Sequence, residues 1–389
     1  MTKNFDVIVV GAGLAGLQTA MLLGRSGARV LLVDAKKSVA DSVHTTGIFV
    51  RRTLEDFDLP PMHLGPPVRH VTLYSPARRA LTLESPYDEF RVGRMSRLYT
   101  HYLHACQRDG VVWSPATRYV GSEDASESQV VRLETGGRSW ATRVRYVVGA
   151  DGARSRVARD LGLDANGEYI VGVEDVFEGV PLDGPPRFHC FLDPRLAPGY
   201  LAWIVHDGEE THVGVGGYAA HFDPLRALEE FRGSVKDIMD FSRARRVERR
   251  GGRIPVGGVL RHIANRRGLL VGDAAGAVSP LTAGGLDPCM RLSSLAASVI
   301  ADYLKTENRA ELSRYAGDRF RARFVSRLWM RRMLASARNP AMLEVACAAM
   351  RLAPLRPLAW HVFFGRGSFP DVDASAHAAR QSARSVAAI

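Results

Sequence analysis

The chain has 389 residues, and its 52 Lys and Arg residues outnumber its 41 Asp and Glu residues, which gives a formal net charge of +11. Hydrophobic residues make up 46% of the chain and charged residues 24%, ordinary values that exclude a mainly disordered or collagen-like protein. The four cysteines are far apart and form no CxxC pair, so we expect neither a disulfide framework nor a metal site. The excess of basic residues predicts an anionic partner, such as a phosphorylated cofactor.

The N-terminal segment carries a dinucleotide-binding fingerprint. Residues 5–10 predict a buried parallel strand, residues 17–23 have helical spacing, and residues 29–33 predict a second strand that ends at Asp34. The GxGxxG run between strand and helix permits a tight turn and the close approach of a pyrophosphate to the helix N-terminus, while the acid suits a ribose diol. The predicted contact residues are Gly11, Gly13, Leu14, Ala15, Gly16, Asp34 and Ala35.

Two further strand–turn–helix segments place an aspartate at the turn. One is GADGARS at residues 149–155, and the other joins GDAAG at residues 272–276 to PLTAGGL at residues 280–286. A nicotinamide dehydrogenase needs neither segment, whereas a flavin nucleotide that crosses the domain needs partners for its ribityl chain and its ring. Asp273 is suited to accept a ribityl hydroxyl, and the N–H groups of residues 284–286 are suited to stabilise negative charge on a reduced flavin. FAD is therefore the predicted cofactor.

Together the three motifs resemble those of the FAD-dependent p-hydroxybenzoate hydroxylase superfamily, and within it the geranylgeranyl reductase group. The resemblance runs from about residue 5 to about residue 302. It implies that the second motif lies near the flavin pyrophosphate, that Asp273 lies on the ribityl chain, and that an arginine opens a helix beside the cofactor. The residues carried over are Arg94, Asp151, Gly152, Gly272, Asp273, Pro280, Gly284, Gly285 and Leu286.

The middle of the chain predicts a substrate domain. Residues 166–254 alternate apolar and polar positions between turn residues, which predicts an antiparallel sheet with one exposed face. Tyr200 and Trp203 would face an apolar pocket or fill the core. The resemblance also implies a cysteine near the flavin after the second strand, where this chain has either His44 or the pair Thr45 and Thr46 to occupy the space. His44, Tyr200 and Trp203 are therefore the predicted catalytic residues.

The C-terminal third is helical and basic, with eight arginines against Asp318 between Arg314 and Arg338. Such a helix suits an anionic membrane surface or packs on the core with its arginines in water. We predict peripheral membrane contact as one of these alternatives, a cytoplasmic location, no nucleic-acid partner and a disordered tail at residues 371–389.

These observations predict an α/β protein in which a Rossmann-like FAD-binding domain (residues 1–65, 88–165 and 255–305) is interleaved with an antiparallel-sheet substrate domain (66–87 and 166–254). Helices follow at residues 306–370. The resemblance implies an oxidoreductase that reduces C=C bonds of an isoprenoid or other apolar substrate by hydride transfer from reduced flavin. The alternative is a monooxygenase of a secondary metabolite that acts through a flavin C4a-hydroperoxide. Because the chain has one fingerprint and FAD occupies it, electrons would come from transiently bound NAD(P)H or from a separate reductase or ferredoxin.

Overall fold

The structure is a computed structural model, and it describes residues 4–182, 184–352 and 354–365. The predicted tail at residues 371–389 and the last residues of the predicted helical region lie outside the described residues.

Strands and helices alternate in the first part of the chain, strands dominate the middle, and helices form the end. The strands are β1 (Asn4–Val10), β2 (Val30–Val33), β3 (Ile48–Val50), β4 (His70–Tyr74), β5 (Ala80–Glu84), β6 (Phe90–Val92), β7 (Val112–Ser114), β8 (Thr117–Ala125), β9 (Ser128–Thr135), β10 (Arg138–Gly149), β11 (Tyr169–Glu178), β12 (Arg187–Phe191), β13 (Ala202–His206), β14 (Glu210–Gly217), β15 (Arg245–Pro255) and β16 (Gly268–Leu270). The helices are α1 (Leu14–Arg25), α2 (Arg51–Asp56), α3 (Met95–Arg108), α4 (Arg156–Leu161), α5 (Pro224–Ser234), α6 (Leu286–Thr306), α7 (Gly317–Arg321), α8 (Val325–Ser336), α9 (Pro340–Arg351) and α10 (Arg356–Phe364).

The first sheet is the Rossmann-like one, with strand order β7-β2-β1-β10-β9-β8 and β16 beside β10. Strand β1 lies between β2 and β10, parallel to both, and its central residues are fully buried because helices cover the sheet. Helix α1 packs against α3 and α6. The carboxyl ends of β1, β10 and β16 therefore lie side by side, and each leads into one of the three glycine motifs.

The second sheet has the order β15-β11-β14-β13-β12-β4-β5, and its pairs are antiparallel except β12 with β4. The hairpin β4–β5, from the first part of the chain, thus joins strands from the middle. The α/β fold with a Rossmann-like sheet, an antiparallel sheet and C-terminal helices is confirmed; the exact domain boundaries remain a prediction.

The expectation that the second sheet has one exposed face is wrong for its central strands. Strands β11 and β14 are buried on both faces. Helix α5 packs on one face through Phe231, whose full burial contributes about 1.5–3 kcal/mol. The opposite face turns Tyr200 and Trp203 toward the first sheet.

The C-terminal helices attach to both sheets. Phe320 and Phe324 are buried in the main core, while Glu344 of α9 accepts the Ala77 N–H (3.0 Å) and Arg356 of α10 donates to the Thr82 carbonyl (3.0 Å). These contacts hold α9 and α10 over the β4–β5 hairpin. Within the described parts of the chain, every helix is too short or too polar to cross a membrane.

Candidate active site

The first glycine turn opens helix α1 toward a cavity. A Cβ at Gly11 (φ +105°) would lie 2.3 Å from the Ala150 oxygen, and one at Gly16 would lie 1.8 Å from the Gly11 oxygen, so both positions are closed to larger residues. A Cβ at Gly13 would meet no protein atom within 4 Å. Gly13 caps α1 without a side-chain hydrogen bond, which leaves the helix N–H groups available to an anion.

Asp34, at the end of β2, is held beside this turn by the backbone. Its carboxylate accepts the N–H groups of Ala12 (2.6 Å) and Lys36 (2.8 Å). A carboxylate offers about four acceptor positions, so two remain for the hydroxyls of a ribose. Neither Asp34 nor Ala35 lines the cavity itself.

The second motif uses its aspartate to cap a helix. Asp151 accepts the Ser155 hydroxyl (2.6 Å) and the N–H groups of Arg156 (2.6 Å) and Val157 (3.1 Å) at the start of α4. Burial raises the pKa of Asp151. Its carboxylate is turned to the helix, and the neighbouring Gly152 (φ +78°) lines the cavity instead.

The third motif presents an acid and a helix N-terminus. Asp273 lies in a 3₁₀ turn after β16 and lines the cavity, and burial raises its pKa to about 6. Residues 284 and 285 lead into α6, whose cap Gly285 makes no side-chain hydrogen bond. A Cβ at Gly285 would lie 3.7 Å from Asp273 Oδ1, so the acid and the helix N-terminus are neighbours. Pro280, earlier in the same motif, does not line the cavity.

These turns lie at one end of a cavity of about 1520 Å³. Ligand sites usually have about 300–1,000 Å³, so this volume leaves room for a long ligand and a second molecule. The predicted site residues that line it are Gly13, Leu14, Ala15, His44, Gly152, Tyr200, Trp203, Gly272, Asp273, Gly284, Gly285 and Leu286. Apolar residues of α8, α9 and α10 also line it, with Met330, Leu334, Leu343, Met350 and Phe363 among them.

The side chain of Arg94 points away from the cavity. Arg94 precedes α3, as predicted, but its guanidinium lies 3.3 Å from the Met62 oxygen and 3.3 Å from Glu209 Oε1. Its side chain does not line the cavity. Arg94 therefore ties α3 to the turn between β13 and β14.

The predicted catalytic residues all line the cavity. The Tyr200 hydroxyl donates to the Thr282 oxygen (2.6 Å), and the Trp203 indole N–H donates to Glu174 Oε2 (3.0 Å), so both rings are fixed. Burial and the nearby Lys36 lower the pKa of His44, which favours its neutral form.

Glu174 and Arg327 line the cavity and were not among the predicted site residues. Glu174 lies in a strand of apolar residues beside Asp175, and an acidic pair inside such a strand is a usable signal of a paired buried charge. Arg327 of α8 donates to the Ser279 hydroxyl (3.0 Å), and burial lowers its pKa. No local pattern distinguishes Arg327 from the other arginines of this basic segment.

The donor and acceptor groups fit FAD. The uncapped start of α1 and the open space at Gly13 suit a pyrophosphate, Asp34 suits the adenosine ribose, Asp273 suits the ribityl hydroxyls, and the start of α6 suits the flavin ring.

Comparison with known proteins decides the family. The family described as "FAD binding domain" matches residues 4–330. The chain belongs to this FAD-binding family. The resemblance drawn from the three motifs and the prediction of an FAD-dependent oxidoreductase are thereby confirmed.

Similar proteins include both reductases and monooxygenases. The digeranylgeranylglycerophospholipid reductase of Methanocaldococcus jannaschii is 27% identical over 331 residues, which cover 79% of each chain. A geranylgeranyl bacteriochlorophyll reductase-like protein of Thermoplasma acidophilum shares the fold with a TM-score of 0.80 and 18% identity, covering 96% of each chain. The p-nitrophenol 4-monooxygenase of Pseudomonas putida has a TM-score of 0.71 and 17% identity, covering 94% of this chain and all of its own.

Proposed function

We propose that this protein is an FAD-dependent reductase that saturates C=C bonds of a prenyl lipid. One observation carries the proposal: a single cavity of about 1520 Å³ is lined both by the predicted flavin-binding turns and by apolar residues of α8, α9 and α10. A hydrocarbon chain beside the flavin matches that volume and that apolar lining. The reductase named for digeranylgeranylglycerophospholipid, which resembles this chain over 79% of its length, supports the same substrate class.

Bound FAD in its reduced form would supply the hydride. The part of the chain itself is to hold the alkene against the ring and to exclude water. We propose that Tyr200 and Trp203 form one wall of that site, because their hydrogen bonds to Thr282 and Glu174 fix both rings. The neutral His44 would contact the substrate or the flavin as a hydrogen-bonding group.

The proposal is tested with the holoprotein reduced in the absence of oxygen and mixed with a geranylgeranyl glycerophospholipid in detergent. We expect rapid reoxidation of the flavin and a product that has gained hydrogen across its double bonds. The same reduced protein mixed with oxygen should reoxidise slowly. Rapid reaction with oxygen that yields a hydroxylated product, without any reduction of the lipid, would identify a monooxygenase and overturn the proposal.

We further propose that the lipid enters from a membrane surface. Met333 and Met342 line the cavity and are also 71% and 61% exposed, which supports a mouth between α8 and α9. Trp329 and Val345 add exposed apolar surface on the same helices, next to arginines that favour anionic headgroups.

Vesicle binding tests this entry route. We expect co-sedimentation with vesicles of anionic lipid, and a loss of most binding in the variant Trp329→Gln/Val345→Gln, since neither residue lines the cavity. Met62→Gln is the matched control, because Met62 is an equally exposed apolar side chain outside the C-terminal helices. Equal vesicle binding by all three proteins would contradict the route while leaving the reductase proposal intact.

The electron donor is proposed to be NAD(P)H or a separate reductase or ferredoxin. The net charge of +11 favours either the phosphates of a nicotinamide cofactor or an acidic protein. Loss of the flavin absorbance under anaerobic conditions, with each donor in turn, distinguishes them.

A further inference from the structure

A buried ionic cluster links the cavity to the turn between β13 and β14. His212 of β14 lies with its Nδ1 3.0 Å from Glu174 Oε1 and its Nε2 3.5 Å from Asp207 Oδ2. All three side chains are at most 5% exposed. Both ring nitrogens thus face carboxylates.

The cavity end of this cluster is Glu174. Its Oε2 accepts the hydroxyl of Thr46 and the indole N–H of Trp203, and Arg250 lies 3.7 Å from Oε1. Glu174, Thr46 and Trp203 all line the cavity. Through Trp203 and Tyr200, whose rings are 6.4 Å apart, the cluster adjoins the loop that holds Thr282 at the flavin end.

The solvent end is the β13–β14 turn. Asp207 Oδ1 accepts the N–H groups of Glu209 (2.8 Å) and Glu210 (2.7 Å), which fixes the turn. The Glu210 carboxylate is partly exposed and lies within 4.8 Å of ligand-type atoms of both Asp207 and His212. A proton can therefore reach His212 from water through this turn.

His212, the central residue of the cluster, is protonated at neutral pH. Burial alone would lower its pKa, but Glu174 and Asp207 raise the pKa of His212 to about 9. Although burial opposes ionisation, His212 and backbone N–H groups hold the pKa of Asp207 at about 2, and His212 also lowers the pKa of Glu174. The charged and titratable groups around His212 are Glu174 on β11, Asp207 and Glu210 at the turn, Arg250 on β15, His206 at the end of β13, and Arg94 before α3.

We propose that Asp207, His212 and Glu174 form a proton relay that delivers a solvent proton through the Thr46 hydroxyl to the substrate alkene. The inference rests on the proposed reductase function. Bound reduced FAD would supply a hydride to one alkene carbon, and the π electron pair would form the second C–H bond with the proton of Thr46 Oγ1. As Thr46 gives up this proton, the Nδ1 proton of His212 passes to the Glu174 carboxylate, and the Glu174 carboxyl group returns a proton to Thr46. His212 then takes a proton from solvent at the turn, so that the alkene gains one hydride and one proton.

The other polar groups of the predicted catalytic set are less suited to this task. The Tyr200 hydroxyl donates to the Thr282 backbone oxygen, which has no proton to return, whereas the Glu174 partner of Thr46 connects to His212; burial also raises the pKa of Tyr200. The Trp203 N–H does not ionise. Burial lowers the pKa of His44, so that this ring carries no extra proton at neutral pH.

The matched variants are Thr46→Val, which keeps the shape but removes the hydroxyl, and Thr46→Ser, which keeps the hydroxyl. In single-turnover reoxidation by the geranylgeranyl glycerophospholipid, we expect Thr46→Val to be slowed about 10²-fold or more, the scale of general acid catalysis, and Thr46→Ser to stay near wild type. In D₂O the wild type should react more slowly than in H₂O and should place solvent deuterium in each saturated bond. Equal rates for wild type and Thr46→Val, with unchanged FAD binding, would overturn the relay alone.

A readout that does not depend on turnover is the ¹⁵N NMR signal of His212. We expect both ring nitrogens of wild-type His212 to remain protonated from pH 6 to about pH 8, and the pKa to fall in Asp207→Asn. A neutral His212 at pH 7 would overturn the relay even if the lipid is reduced. A wild-type protein that does not reduce the lipid at all would instead overturn the proposed function, and the inference with it.

Discussion

Gly13 and Gly16 lie in the same turn but are glycine for different physical reasons. A Cβ at Gly16 would overlap the Gly11 oxygen, whereas a Cβ at Gly13 meets open space that the pyrophosphate would fill. We expect Gly13→Val to fold normally and to purify without bound FAD, and Gly16→Ala to be destabilised by about 1–3 kcal/mol. Flavin absorbance and thermal unfolding of both variants check this, and full FAD content in Gly13→Val would contradict the assignment.

The buried carboxylate of Asp273 is expected to lower the stability of the apoprotein and to strengthen FAD binding. Without FAD, burial raises the pKa of Asp273 to about 6, above its ordinary value of 3.8. The folded apoprotein therefore has its full stability below pH 3.8, where Asp273 is protonated, and loses stability as the pH rises through about 6. Asp273→Asn should therefore make the apoprotein more stable than wild type at pH 8, by on the order of 1–3 kcal/mol, with the difference vanishing near pH 4.

Urea unfolding of both apoproteins at pH 4 and pH 8 measures that difference. FAD affinity should fall in Asp273→Asn, because the amide replaces one of the acceptors for a ribityl hydroxyl. A stability difference that does not change with pH would show that the acid is not destabilised by burial.

At the scale of single residues, sequence motifs predict those site residues whose place depends on the local backbone, such as Gly13 and Asp273. The acidic pair in β11 is a signal of a buried charge at Glu174, but no motif could predict its partner Thr46, which is 128 residues away in the chain. For Arg94 the sequence predicts the position in the chain but not the direction of the side chain. Its position before α3 follows from the sequence, but its guanidinium is directed toward Glu209, in the distant turn between β13 and β14.

At the scale of elements, α2 and α6 are joined by a buried ion pair. Arg291 of α6 is fully buried and lies 2.9 Å from both Asp287 and Asp56, with its guanidinium over the Phe57 ring. Arg291→Met should leave Asp287 without its buried cation and Asp56 with Arg52 alone, and should cost about 3–5 kcal/mol in free energy of unfolding. The control Arg314→Met removes an exposed pair with Asp302 and should cost about 0–1 kcal/mol.

Chemical denaturation of the two variants tests this contrast. Losses of similar size would mean that burial does not set the strength of the Arg291 pairs. The comparison is informative because both arginines bond to two acids and differ mainly in exposure.

The sequence predicts the helices and strands that have a periodic pattern, but it predicts less well which other elements pack against them. The strand and helix of the first motif follow from residues 5–23 alone. The basic C-terminal helix was predicted to face water or lipid with its arginines, yet Arg331 of α8 is buried and lies over the Tyr218 ring. Its burial depends on β14, which leads into Tyr218, so no pattern within α8 could indicate it.

At the scale of the whole molecule, the C-terminal helices supply part of the cavity wall. Ala346 of α9 lines the cavity, while the adjacent Val345 is 70% exposed. Ala346→Phe should reduce the apolar volume of the cavity and lower the turnover of long prenyl chains about 10-fold or more, with short chains and FAD binding little affected. The control Val345→Phe should leave the chain-length preference unchanged, and parallel loss in both variants would refute this placement.

The joining of β4 to β12 has a consequence for how the protein is made. Tyr74 on β4 contacts His189 on β12, 115 residues later in the chain. At ribosomal rates of roughly 5–20 residues per second, the β4–β5 hairpin emerges on the order of ten seconds before the strand that covers its inner edge. During that interval its unpaired edge is open to other chains, and pairing over such a separation is intrinsically slow. Nascent chains that stop before residue 187 should therefore depend on chaperones far more than the complete protein does.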